Sequence, residues 1–78
     1  MFVAIDLKTQ LTIINLDHIT EMKCDYSNNI LVFCSDDQVP SNWRYTFIDG
    51  GALTNAYNHI VEGLLHDTKI ITINEGLA

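Results

Sequence analysis

Apolar and polar positions alternate in short runs along most of this chain, and then the period changes. FVAIDL (2–7), LTIIN (11–15), ITEMKC (19–24) and ILVFCS (30–35) are runs of four to seven residues rich in β-branched side chains. KTQ, NLDH and YSNN separate them, and this punctuation predicts four strands joined by turns. WRYTFI (43–48) alternates most cleanly, with Trp43, Tyr45 and Phe47 on one side and Arg44 and Thr46 on the other, which predicts a fifth. Three aromatics on one strand face beside an amphipathic helix read as core. DDQVPSN (36–42) holds the one proline and is the longest irregular segment.

After DGG (49–51) the repeat becomes helical. Leu53, Ala56, Tyr57, Ile60, Val61, Leu64 and Leu65 fall on a single apolar stripe, the pattern of an amphipathic helix about four turns long. Ile60 and Leu64 are expected to face a sheet. KIITIN (69–74) reads as a last strand and EGLA as a frayed tail. The order implies an α+β domain spanning residues 1–78: an antiparallel meander of about five strands, one helix packed on one face, and a final C-terminal strand. That last strand either returns parallel to WRYTFI or pairs with another molecule.

Composition sharpens this picture. Seventy-eight residues make one small domain, yet 47% of them are hydrophobic and the mean hydropathy is positive. A chain of this size exposes much of its surface, so the apolar excess points both to a well-filled core and to a contact with a partner or a second copy. Ten Asp and Glu against four Lys and Arg give a net charge of −6. Such a surface repels phosphates and anionic membranes and favours a basic protein partner. No apolar run approaches the ~20 residues a membrane-spanning helix needs. Cys24 and Cys34 lie on neighbouring strands around YSNN. Loops of two, three or four residues there set Cys24 opposite Phe33, Val32 or Leu31, never Cys34, whereas a disulfide needs Cα atoms within about 4.4–6.8 Å. Free thiols and a cytoplasmic setting are expected.

Candidate chemistry is sparse. His59, Glu62 and His66 share one helix flank and use a metal-ligand alphabet, but a metal needs convergent ligands with a supporting shell, so a solvated flank is the reading. No nucleophile elbow, phosphate loop or calcium loop is present. No enzyme, cofactor or metal is expected. What remains is charge: Asp17, Glu21, Asp25, Asp36 and Asp37, with Trp43 as an anchor, are the candidate partner-binding residues. The alternative is a dimeric small-molecule module, its ligand held between the helix and the Trp43 end of the sheet.

LTIINLDHITEMKC (11–24), with Asn15, Asp17 and Ile19 at the bend, followed by NNILVFCSDD, resembles the strand, turn, strand, strand, helix plan of small flagellar and swarming-motility proteins. The chain departs from that plan where DDQVPSNWRYTFIDGG stands in place of a tight turn and an immediate helix. In size and acidity it also resembles phage inhibitors of host defence of the anti-CRISPR type. That resemblance implies an acidic inhibitor or adaptor that occupies a basic, nucleic-acid-binding site on a larger complex.

Overall fold

A computed structural model describes residues 1–35 and 42–78. Within them lie β1 (Phe2–Leu7), β2 (Gln10–Asn15), β3 (Ile19–Asp25), β4 (Ile30–Ser35), β5 (Asn42–Thr46), α1 (Gly50–Leu65) and β6 (Ile70–Ile73). The class is α+β, as expected. The strands divide between two three-stranded sheets, ordered β2–β1–β6 and β3–β4–β5. The division falls at a single turn of 3-10 helix, Leu16–His18. There the Asn15 side chain accepts from the Asp17 N–H at 3.0 Å, and the Leu16 N–H donates to the Met1 carbonyl at 3.0 Å. These bonds turn the chain out of the first sheet and into the second.

β6 lies parallel to β1, with Phe2 opposite Ile70 and Ile5 opposite Ile73. It therefore pairs neither with WRYTFI nor, on this side, with another molecule. β1 is central because Val3, Ala4 and Ile5 are buried in succession, which suits a strand with neighbours on both edges. The C-terminal residues are not frayed. Phe47 and Leu77 form an antiparallel bridge, the Ile48 N–H donates to Gly76 O at 2.8 Å, and the Ala78 N–H donates to Thr46 O at 2.9 Å. Gly76 has φ +73°, and a Cβ there would lie 2.6 Å from the Ala52 Cβ, so only glycine fits this second corner.

The helix starts at Asp49, whose carboxylate accepts from the Ala52 N–H at 2.7 Å. It ends in a Schellman arrangement: Thr68 N–H to Gly63 O at 2.9 Å, Asp67 N–H to Leu64 O at 3.4 Å, and Asp67 at φ 54°. Leu53, Ala56, Ile60 and Gly63 are its buried residues. Leu64, expected to face the sheet, is 51% exposed. The reason is Gly63: a Cβ there would meet Ile71 Cδ1 at 2.2 Å and Met1 Cε at 2.9 Å, so the helix touches β6 at the glycine. An apolar-stripe reading gives no weight to a residue without a side chain. Gly63 thus serves close packing.

The helix, with Phe33, Phe47, Ile5 and Leu31 beneath it, joins both sheets into one core. Phe33 and Tyr45 meet edge to face, their ring centroids 6.2 Å apart. Cys24 pairs with Leu31, the four-residue-loop register, and both cysteines are free. Among the described residues no helix is long and apolar enough to cross a membrane.

Candidate interaction surfaces

Three surfaces stand out, and the first holds the acidic residues singled out in the sequence. Asp17 sits in the 3-10 turn, Glu21 in β3, and Asp25 at the far end of β3. β3 is an edge strand, so these carboxylates are strung along one border of its sheet. At about 3.3 Å per residue, Glu21 and Asp25 lie roughly 13 Å apart, in a row rather than a cluster. Each is already answered. Asp17 lies 3.6 Å from the N-terminal ammonium, and Glu21 lies 2.8 Å from Lys23 Nζ. Asp25 accepts from the Asn28 side chain at 3.0 Å and the Ser27 N–H at 3.1 Å. The Asn28 side-chain bond, with smaller help from backbone N–H groups and Arg44, holds the Asp25 carboxyl below its ordinary value despite some desolvation. Asp36 and Asp37 lie outside the described residues. Trp43 stands opposite Phe33 in the ladder and is half-buried against the core, on the inner face of β5.

The second surface was not singled out as a site. Along one side of α1 runs a groove of about 520 Å³, lined on the helix by Ala52, Asn55, Ala56 and His59 and opposite by residues 72–76. A second hollow of about 390 Å³ continues it, lined by Glu62, Gly63 and His66 and by β6. His59 and Thr72 line both, so the two form one continuous seam between α1 and β6. The His59, Glu62 and His66 flank is thus exposed, as the sequence suggested, but it walls a groove. Trp43 does not line either hollow. Asn55, four residues before His59, was the available signal: it extends the same polar line by a turn. Among the described residues no group of three His, Cys, Asp or Glu side chains is arranged to hold a metal.

The third surface is the outer face of β2–β1–β6. The register sets Ile13 beside Ala4, Leu11 beside Asp6, and Ile70 beside Phe2. Phe2, Leu11, Ile13 and Ile70 are 44–60% exposed, and Asp6 is the one charge on this face of the three strands.

Burial raises the Cys24 thiol above its ordinary value, a hydrogen bond with Tyr26 opposing it in part, which leaves the sulfur a poor nucleophile near neutrality. Burial likewise raises Tyr45, with Thr12 of β2 opposing. No protein-family model, curated protein or solved structure matches the chain.

Proposed function

We propose that this chain is a non-catalytic binding protein, an acidic inhibitor or adaptor that docks on a basic site of a larger protein complex. The observation that carries this reading is the outward charge. Of the ten carboxylates, all but Asp36 and Asp37 lie among the described residues, and none of those is buried. Within that set only Asp17 and Glu21 have a cation at ion-pairing distance. The remaining field is available to a partner, and it steers association with positive surfaces.

The working unit is a pair of copies. A chain of charge −6 repels its own kind over most of its surface. The outer face of β2–β1–β6 is the exception, because its apolar side chains meet the same face of a second copy with Asp6 as the one charge. Two such faces stack about 10 Å apart across a two-fold axis. Strands of six, six and four residues give a footprint of only about 250 Å² per copy. Two such footprints lie below the roughly 1,000 Å² that a lasting interface clears, so the pair is weak and transient.

An array of lysine- and arginine-rich peptides beside acidic counterparts, probed at low and high salt, tests the main reading. Retention on basic peptides that falls as salt rises is expected, since exposed charges are screened over about 8 Å at physiological ionic strength. Changing Asp17, Glu21 and Asp25 together to amides should slow association, and the same holds for Asp36 and Asp37. Equal retention on acidic and basic peptides, indifferent to salt, overturns it. A second reading, a small-molecule holder, is favoured by the groove, whose volume of about 520 Å³ falls in the usual range for ligand sites.

A further inference from the structure

We infer that the α1–β6 groove receives an extended, basic segment of the partner protein, added as a further strand beside β6. This rests on the proposed function and names the surface and the form of the partner. The first support is the edge. β6 is the outermost strand of its sheet, with β1 on one side. The Phe2 N–H donates to Lys69 O at 2.8 Å in a parallel ladder, so residues 69, 71 and 73 turn their amides toward β1. The N–H and C=O groups of Ile70 and Thr72 therefore point the other way, to the open border. β6 itself carries no charged side chain and no proline, two of the devices that block such a border, so its open groups can pair with an incoming strand.

The second support is the shape. From Ala52 to His66 the helix wall covers fourteen residue steps, about 21 Å at 1.5 Å per residue. An extended chain of about six residues spans that distance at 3.3–3.4 Å each. A helix on one side and a free strand edge on the other is the geometry in which strand addition combines main-chain bonds with pockets for alternate side chains. The groove is lined by small residues where a backbone must come close: Ala52, Ala56, Gly63 and Gly76.

The third support is charge. Glu62 and Glu75 line the groove, no lysine or arginine does, and neither carboxylate has a cation at ion-pairing distance among the described residues. Asn55, His59 and Asn74 supply further polar walls. A segment with alternating basic and small apolar residues fits, its cations against Glu62 and Glu75. An acidic segment is repelled.

The test uses the full chain, a hexapeptide alternating lysine and valine, and a second alternating glutamate and valine. Amide hydrogen exchange and nuclear magnetic resonance follow the Ile70 and Thr72 N–H groups. Expected are exchange without protection in the free chain, protection on adding the lysine peptide, and no change with the glutamate peptide. Thr72→Pro removes a donor on the open border and should weaken the lysine peptide roughly tenfold, while Thr72→Val should leave affinity within about twofold. If Thr72→Pro does not fold, the exchange pattern of the unaltered chain still decides. Binding that protects β3 amides instead overturns the groove and leaves the basic-partner reading standing. Protection of Ile70 and Thr72 before any peptide is added assigns the border to a second copy and overturns the inference. No binding of the lysine peptide overturns it too, and silence across the basic array as well removes both readings.

Discussion

The two sheets share one core but treat water in opposite ways. On the outer face of β3–β4–β5, Glu21, Lys23 and Asp25 line one strand and Asn42, Arg44 and Thr46 another. Val32 lies between Lys23 and Arg44 in the ladder and keeps only 9% of its surface exposed, as expected where long charged side chains lay their stems over an apolar neighbour. The outer face of β2–β1–β6 has no such cover. Phe2, Leu11, Ile13 and Ile70 face water there, and β1 contributes Ala4 between them. Four of the eight large apolar side chains exposed among the described residues are therefore collected on one face, where a scattered set would need no explanation. One sheet is finished for solvent, and the other leaves its apolar side chains open to it.

The contrast requires that stability come from the shared interior. Ile60 is fully buried on the helix, so Ile60→Ala should cost roughly 2–5 kcal/mol in denaturant unfolding, whereas Leu64→Ala should stay within about 0.5 kcal/mol. Equal costs for the two would mean that the helix presents a different face to the sheets. Gly63→Ala comes next. The new methyl has no room against Ile71, and overpacking of about 1–3 kcal/mol should outweigh the roughly 1 kcal/mol of helix propensity gained. A stabilised variant would show that β6 can move away from α1.

Ile13→Lys separates the two outer faces directly. It should leave unfolding within about 0.5 kcal/mol and abolish self-association. Light scattering of the unaltered chain should rise with concentration from 8.8 kDa toward twice that mass, and that of the variant should stay at about 8.8 kDa. A single-copy mass for the unaltered chain removes the pair, and lost stability in the variant would make the face part of the monomer's own packing.

The smallest effect belongs to Asp25 on the solvent-finished sheet. Its carboxyl is lowered in the folded chain, chiefly by Asn28, so the unfolded chain takes up the proton first. Its contribution is full above the ordinary carboxylate value of about 3.9 and is lost as pH falls through the lower folded value. Asp25→Asn should lower neutral stability slightly and flatten the acid limb of the stability profile by the same small amount. An unaltered acid limb would show that the Asn28 contact contributes nothing in solution.

Local pattern determined each element. Period-two alternation marked the strands, period 3.6 marked α1, and any loop of two to four residues at YSNN kept Cys24 from facing Cys34, because these depend on neighbours a few residues away; the structure chose Leu31 among the three partners left open. The helix flank His59, Glu62 and His66 was legible as exposed for the same reason. Tertiary structure decided the rest. Which strand β6 would join depends on β1, nearly seventy residues earlier, and no local period encodes it. The division into two sheets hangs on hydrogen bonds of Asn15 and Leu16 at one bend. The tail is held by Phe47 and Leu77, and the helix face is set by a glycine whose role is the absence of a side chain. The groove exists only because those distant contacts bring α1 and β6 together. A surface made by two elements is a property of their packing, and packing is set by long-range complementarity that alternation along one segment does not carry.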